Sequence, residues 1–181
     1  MERILPPFEA RQLRNALGRF PTGVTVITTR DADGRREGVT ANSFAAVSLD
    51  PPLVLWSLSW GAKSLIGFRR AGRFAIHVLG AHQADLSHRF ATPREDKFEG
   101  LALQAGLGGC PLLPDALACF ECETHREIEL GDHWLFVGRV MRFGFREGAP
   151  LAFHGGKYGA VTAAPGAYAS SDLDAIWGGL G

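Results

Sequence analysis

A run of β-branched residues at positions 24–29, followed at once by a turn, is the feature that most constrains the fold of this chain. All six residues are valine, isoleucine or threonine, which favour a pleated strand. Asp31, Asp33 and Gly34 then supply turn chemistry, so we expect a hairpin into an extended segment at 35–49. Further extended segments are predicted at 53–59, 73–79, 117–129, 133–146 and 151–153, and the segment at 53–59 is expected to be a third antiparallel partner of this hairpin.

Short helices are predicted between these strands. Amphipathic spacing and Gly or Pro stops place them at 9–19, 63–70 and 82–91. Residues 92–114 are rich in Gly and Pro, and we expect an irregular segment there that forms a lid or wall of a site. Because hairpins predominate and the β-α-β alternation is missing, the sequence predicts a mainly β, antiparallel barrel of about six strands with short flanking helices.

The charge balance and hydropathy of the chain exclude several classes of protein. Its 181 residues include 46% apolar residues, and 19 basic groups balance 19 acidic ones, so we expect one globular domain over 1–181. Zero net charge argues against nucleic acid or an anionic membrane as a partner. The sequence has no apolar run of membrane-spanning length and no apolar stretch of a signal peptide at its start, so a cytoplasmic protein is expected.

The cysteines and histidines form no recognisable metal or redox site. Cys119 and Cys122 make a CxxC motif, which elsewhere serves as a redox dithiol or as half of a zinc site. Here the motif lies in a strand pattern, where residues three apart point to opposite faces. We therefore expect both thiols, and that of Cys110, to be packing residues of a protein from a reducing compartment, and no metal is expected.

Two polar segments are candidate ligand sites. Thr40, Asn42 and Ser43 stand where a core strand would have apolar residues, and they either bind a heterocycle with alternating donors and acceptors or face water on an edge strand. The second segment, at 57–64, passes from a strand into a helix start and contains Lys63 and Ser64. It could cradle a phosphate, although, taken alone, these two residues are more often a helix cap and its neighbour.

Seven motifs occur along the chain in a characteristic order. They lie at 20–29 (FPTGVTVITT), 38–44 (GVTANSF), 47–54 (VSLDPPLV), 72–79 (GRFAIHVL), 131–133 (GDH), 136–140 (FVGRV) and 156–158 (GKY). Together they resemble the flavin reductase family, and the resemblance extends over residues 11–161, leaving a weakly patterned tail at 162–181. Agreement of several ordered motifs is far more specific than any one of them.

The resemblance implies a homodimeric FMN-binding split barrel with Greek-key connections. It implies an NAD(P)H:flavin oxidoreductase that transfers hydride from NADH or NADPH to FMN or FAD and supplies reduced flavin to a partner monooxygenase. The implied flavin contacts are the isoalloxazine-lining residues Thr40, Ala41, Asn42 and Ser43, the ribityl and phosphate contacts Ser57, Ser59, Lys63 and Ser64, the closing residues Arg89, Phe90 and Lys97, and Tyr158.

The same resemblance assigns His133 to the reaction itself. The family histidine lies beside nicotinamide and flavin, so His133 would position the nicotinamide or balance charge on the reduced flavin. His77 stands where the family commonly has Asn. Because split barrels serve several purposes, two alternatives stay open: a flavin-binding electron carrier or redox sensor without turnover, and an FMN-dependent oxidase of a small organic substrate.

Overall fold

Antiparallel strands make up most of the structure. The computed structural model describes residues 6–162, so the tail from residue 163 lies outside the described residues. The strands are β1 (Thr22–Gly23), β2 (Thr25–Arg30), β3 (Arg36–Ala41), β4 (Ala45–Leu49), β5 (Pro52–Ser59), β6 (Arg73–Val78), β7 (Gln104–Ala105), β8 (Pro111–Leu112), β9 (Ala118–Leu130), β10 (His133–Phe145), β11 (Leu151–His154) and β12 (Lys157–Ala160). The helices are α1 (Ala10–Leu17), α2 (Leu65–Ala71) and α3 (Ala84–Ala91), with 3₁₀ turns at Ala81–Gln83 and Leu107–Gly109.

Seven strands form the main sheet, in the order β3-β2-β6-β9-β10-β5-β4. Every neighbouring pair in it is antiparallel, and β11 pairs separately with β1 and β12. The predictions of a mainly β antiparallel fold and of three short helices are confirmed. The expectation of about six strands is wrong, because short strands such as β1, β7 and β12 carry too few residues to show a period of two.

The segment predicted as one strand at 35–49 is two strands that join opposite edges of the sheet. β3 pairs with β2, whereas β4 pairs with β5, so β5 is not the expected third partner of the first hairpin. The chain crosses over at residues 42–44. There the hydroxyl of Ser43 accepts a hydrogen bond from the backbone N–H of Ser57 (2.9 Å), which fixes the crossover against β5.

An aromatic cluster forms the core beneath β5. The ring of Trp56 stacks on Phe136 at a centroid distance of 4.7 Å and meets Phe68 and Phe74 edge-on at 4.9 and 5.7 Å. All four side chains are buried. Aromatic pairs in these geometries add to the stabilisation from buried area, and this cluster joins β5, β6, β10 and α2. It therefore fixes the loop that connects β5 to α2.

The buried side chain of His77, on β6, forms hydrogen bonds with β2 and with the segment at 92–114. Its Nε2 accepts a hydrogen bond from the backbone N–H of Leu113 (3.1 Å), so the proton must lie on Nδ1, which donates to the carbonyl of Val26 (3.0 Å). Burial lowers the pKa of His77 to about 4. The side chain is thus a neutral structural group that uses both ring nitrogens.

The three cysteines are unpaired. Cys110 and Cys122 are buried and Cys119 is half-buried, and burial raises the pKa of Cys119 and of Cys122 to about 12. Such thiols are inert, which confirms the interpretation of the CxxC motif as packing. Within residues 6–162 there is no grouping of three or more metal-ligating side chains, and no helix there has the length and apolar character needed to cross a bilayer.

Candidate functional site

A cavity of about 910 Å³ lies between β3, the loop before α2, and the segment that follows α3. The irregular segment predicted at 92–114 supplies one wall of it, through residues 92–98. The residues that line the cavity are Arg35, Arg36, Glu37, Gly38, Val39, Gly61, Ala62, Lys63, Ser64, Phe90, Ala91, Thr92, Pro93, Arg94, Glu95, Asp96, Lys97 and Phe98.

Close packing of α3 on β3 builds one side of this cavity. A Cβ atom at Gly38 would lie 2.4 Å from Cε1 of Phe90, so only glycine allows the helix to approach the strand this closely. Lys97 secures the contact, because its Nζ donates to the carbonyls of Phe90 (2.7 Å) and Gly38 (3.2 Å). Burial lowers the pKa of Lys97, and the nearby Glu37 opposes that shift.

Further polar contacts attach the 92–98 wall to β3. The guanidinium of Arg36 lies 3.2 Å from the carboxylate of Asp96 and 5.2 Å from the ring centre of Phe98. Asp96 also accepts a hydrogen bond from the backbone N–H of Phe98 (2.7 Å). On α3, Arg89 donates to the carbonyl of Glu99. Arg89 and Lys97 were both predicted to close over the flavin. Lys97 instead donates to the carbonyls of Phe90 and Gly38, and one guanidinium nitrogen of Arg89 donates to the carbonyl of Glu99.

Lys63 and Ser64 face the cavity from the loop before α2. None of the ion pairs found among residues 6–162 involves Lys63. Ser64 is buried, and its hydroxyl makes no capping hydrogen bond to α2. The first N–H of the helix, that of Leu65, donates instead to the carbonyl of Ala62 (3.0 Å). Ser64 thus occupies the N-cap position of α2 but does not cap the helix through its hydroxyl, and the two side chains offer a cation and a hydroxyl to an anionic ligand.

The polar segment at 40–43 lies on the edge strand and just beyond it. β3 is an edge of the sheet, but the hydroxyl of Thr40 does not face water, since it donates to the carbonyl of Ser87 (2.6 Å). The carbonyl of Ala41 accepts from Thr25 (2.7 Å), and Asn42 is exposed. These residues do not line the cavity, and their contact with isoalloxazine stays a prediction.

The end of β5 and the start of β10 bring Ser59 and His133 together. They are direct cross-strand partners, and the N–H of Trp60 donates to the carbonyl of Asp132 (3.0 Å). Nδ1 of His133 lies 2.7 Å from Oδ1 of Asp132, a contact that lowers the pKa of Asp132. Ser57, two residues before Ser59, is the partner of Leu135. Neither Ser57, Ser59 nor His133 lines the cavity.

Tyr158 contacts helix α3 through Ser87, a residue that sequence reasoning missed. Its hydroxyl lies 2.8 Å from the hydroxyl of Ser87, which is buried in α3. Because Ser87 also accepts from Thr40, it joins β3, α3 and β12. The available sequence signal was its spacing: Ser87 precedes the apolar Phe90 by three residues, so the two share one helix face.

Comparison with known proteins shows the family. Residues 17–162 match the family described as flavin reductase like domain. The chain belongs to this family. Its relatives include the FMN reductase (NADH) SmoA of Agrobacterium fabrum, 47% identical over 83% of this chain and 85% of that protein. Another is the stachydrine N-demethylase reductase subunit Stc3 of Rhizobium meliloti, 47% identical over 75% of this chain and 59% of that protein.

A solved structure supports the same flavin reductase fold. The NADH:FAD oxidoreductase SgcE6 of Streptomyces globisporus, solved in complex with NAD and FAD fragments, superposes with a TM-score of 0.81. It is 37% identical, over 92% of this chain and all of that one. The chain spans about half the length of several curated relatives that it matches, for example 44% of one from Rhizobium meliloti and 48% of one from Acinetobacter baylyi.

Within this flavin reductase fold, the structure gathers part of the predicted set around the cavity. Lys63, Ser64, Phe90 and Lys97 line it. The charged lining residues that sequence reasoning missed include Arg35, Arg36 and Glu37. Their signal was a charged run immediately before the polar interruption at 38–44, which at the sequence level is typical of a solvated hairpin end.

Proposed function

We propose that this chain is an NAD(P)H:flavin oxidoreductase that reduces FMN or FAD with a nicotinamide as hydride donor. The observation that carries the proposal is the cation of Lys63, which has no ion-pair partner among residues 6–162 and faces a 910 Å³ cavity beside the buried Ser64. Such a pair fits the phosphate of a flavin nucleotide. Family membership supports the same assignment, as do the activities of two relatives, the FMN reductase (NADH) SmoA and the NADH:FAD oxidoreductase SgcE6.

The protein contributes binding and orientation to this reaction. When bound, the flavin accepts a hydride at N5 from the nicotinamide, so no protein nucleophile is required. Lys63 and Ser64, in the loop before α2, would hold the phosphate. Ser57 and Ser59, on the preceding strand β5, would contact the ribityl chain. The polar segment at 40–43 would align the isoalloxazine, and the wall at 92–98 would exclude water. Holding both reactants in one geometry lowers the barrier by removing the entropy of their encounter.

His133 would act on the nicotinamide side of the flavin. It begins β10 beside Ser59, and the carboxylate of Asp132 orients its imidazole. The second ring nitrogen, Nε2, makes no hydrogen bond within the described residues and is free for a ligand. In this role His133 positions the nicotinamide or balances charge on the reduced flavin, and it does not serve as an obligatory acid.

The product would be consumed by a separate enzyme. The relative from Rhizobium meliloti is a reductase subunit of an N-demethylase, which supports a role of this chain in supplying reduced flavin to a partner monooxygenase. The three unpaired, largely buried cysteines fit a reducing compartment such as the cytoplasm.

A homodimer is the assembly that we propose for this chain. Phe143 and Phe145 lie two residues apart on β10 and so share one face, yet their side chains are 68% and 77% exposed. The ring of Phe143 stacks on that of Phe120 at 6.4 Å. Exposed apolar patches of this kind mark protein interfaces, and the family resemblance implies a second copy of the chain as the partner.

Anaerobic flavin bleaching tests the proposed activity. Catalytic amounts of the purified chain are mixed with FMN or FAD and with NADH or NADPH, and the flavin absorbance is followed. We expect many turnovers of bleaching with at least one combination. A yellow protein that ignores both nicotinamides would instead indicate an electron carrier or sensor. Bleaching of bound flavin only by an added organic substrate would indicate an oxidase.

A further inference from the structure

Three acidic residues line the cavity together with several cations, and Glu37 is the one whose carboxylate lies against helix α2. Glu37 lines the cavity from β3, and its side chain is only 15% exposed. Its one ion-pair partner within residues 6–162 is Arg35, at 2.9 Å, and the Arg35 side chain is 73% exposed. A surface pair of this kind contributes little stability, so it does not explain why a carboxylate is held in this wall.

Helix α2 fixes the Glu37 carboxyl group in place. A Cβ atom at Gly67 would lie 2.6 Å from Cγ of Glu37 and 3.5 Å from its Oε1, so the side chain lies directly on the helix backbone. Glycine inside a helix costs about 1 kcal/mol relative to alanine. The glycine is needed here because a larger residue would collide with Glu37. The close contact orients the Glu37 side chain, as expected of a preorganised binding group.

The Glu37 carboxylate has hydrogen-bonding capacity left over. No backbone N–H or hydroxyl of the described chain donates to it, and its ion pair with Arg35 brings Nε within 2.9 Å of Oε1. Burial raises the pKa of Glu37, Arg35 and Lys97 oppose the shift, and Asp31 adds to it. A carboxylate that is partly withdrawn from water is stabilised most by new hydrogen-bond donors, and the cavity is the space from which such donors can come.

We propose that Glu37 forms a second polar subsite of the cavity, which accepts hydrogen bonds from the vicinal hydroxyl groups of the bound nucleotide. This rests on the proposed function, in which Lys63 holds the phosphate. The cation of Lys63 and the largely buried carboxylate of Glu37, both lining one cavity, match a ligand that joins a phosphate to a polyol. Two parts of the ligands carry such hydroxyls: the ribityl chain of the flavin and the ribose of the adenosine in FAD.

Flavin affinities of a Glu37→Gln variant test this subsite. Dissociation constants are measured by fluorescence titration for lumiflavin, riboflavin, FMN and FAD. Lumiflavin has no ribityl chain, and neither it nor riboflavin carries a phosphate, so their comparison is free of charge effects. Replacing a charged acceptor with a neutral one roughly halves the strength of its hydrogen bonds, which predicts about fivefold weaker binding of the ligand that donates to Glu37.

Each pattern of affinities has a distinct meaning. Weaker riboflavin binding with unchanged lumiflavin binding supports contact with the ribityl chain, whereas weaker FAD binding relative to FMN supports contact with the adenosine ribose. Unchanged ratios in both comparisons would overturn the subsite. Equal tightening of FMN and FAD with unchanged riboflavin would also overturn it, because Glu37 would then act only by repelling phosphate.

Two further variants keep the test specific. Glu147→Gln makes the same charge change at an exposed residue that does not line this cavity, and it should leave all four affinities within twofold. Glu37→Asp keeps the charge but withdraws it by one methylene, and it should weaken the same ligand as Glu37→Gln does. If the parent chain bound none of the four flavins, the proposed function itself would be contradicted, whereas a binding parent with unaffected variants contradicts the subsite alone.

Discussion

His133 lies directly across from Ser59 in the register of β5 and β10. The two residues belong to segments that are more than 70 positions apart in the chain, yet the sheet makes them neighbours. The N–H of Trp60 and the carbonyl of Asp132 extend this pairing by one more hydrogen bond, at 3.0 Å. A group assigned to the flavin and a group assigned to the nicotinamide therefore share one rigid strand end.

Replacing His133 tests its assignment to the nicotinamide side. We expect His133→Ala to lower kcat/KM for the nicotinamide at least about tenfold, because a misplaced reactant loses much of the orientation effect, while flavin affinity changes little. Asp132→Asn keeps the imidazole and should have a smaller effect. Stopped-flow measurement of flavin bleaching gives both quantities. A His133→Ala variant with the full hydride-transfer rate and nicotinamide affinity would remove His133 from the site.

Lys63 should discriminate phosphorylated flavins from riboflavin. Lys63→Ala removes the cation proposed to meet the phosphate, and loss of a charged hydrogen bond predicts about tenfold weaker FMN binding. Riboflavin binding should stay within twofold, since it lacks the phosphate. Lys157→Ala, at an exposed position of β12, is the matched control. Equal FMN affinities of the parent and Lys63→Ala would show that the phosphate lies elsewhere.

Ser87 and Tyr158 should be coupled in stability. Their hydroxyls are 2.8 Å apart, so Ser87→Ala and Tyr158→Phe each remove the same hydrogen bond. We expect each to lower the free energy of unfolding by about 1 kcal/mol and the double variant to lower it by little more than either alone. Urea denaturation of the four proteins gives the coupling free energy. Additive losses would mean that the two hydroxyls do not interact.

His77 should make the fold sensitive to acid. Its pKa is about 4 in the folded state and about 6.5 when unfolded, so between these values the unfolded chain binds a proton that the folded chain does not. Stability is therefore complete above pH 6.5 and is lost as the pH falls towards 4, by about 3 kcal/mol at most. Urea midpoints measured across this range for the parent and His77→Asn check the slope.

The control for this pH dependence is the exposed His154. His154→Asn should keep the acid-dependent slope of the parent, whereas His77→Asn should flatten it, because asparagine does not titrate. A parent protein whose urea midpoint stays level from pH 6.5 to 4 would contradict a neutral, buried His77.

The exposed aromatic face of β10 predicts the effect of a charge on assembly. If two copies of the chain meet there, Phe145→Asp should halve the mass in solution by burying an unpaired charge at the interface. Leu130→Asp, exposed at the opposite end of the β9–β10 hairpin, should leave the mass unchanged. Size-exclusion chromatography with light scattering measures both. A parent chain that is already monomeric at micromolar concentration would contradict the dimer.

Local patterns in the sequence were enough to predict most of the strands and helices. The β-branched run at 24–29 and the turn after it became β2 and the hairpin to β3, and the long alternating segments became β9 and β10. The crossover at 42–44 was missed because nothing local distinguishes one long edge strand from two strands that pair at opposite ends of a sheet. That choice depends on Ser43 meeting Ser57, which is a tertiary contact.

The candidate site divides in the same way. Motif order identified the family and the segments that carry Lys63, Ser64 and His133, because those segments lie at strand ends that any chain with this pattern must have. The sequence could not show whether a side chain is free to bind a ligand or is already hydrogen-bonded within the protein. Lys97 and Arg89 were assigned to the flavin, but in the fold Lys97 donates to the carbonyls of Gly38 and Phe90 and Arg89 donates to that of Glu99.

By itself, then, the sequence determined the antiparallel class, the hairpins and the family, since these follow from residue types at fixed spacing along one segment. Only the tertiary structure decided which polar groups are already satisfied and which remain open. Hydrogen bonds and ion pairs join residues far apart in the chain, so they depend on strand order and on close approaches such as that of Gly67 to Glu37. Among residues 6–162, Lys63 has no ion-pair partner, the exposed Arg35 is the only ion-pair partner of Glu37, and Lys63 and Glu37 both line the cavity.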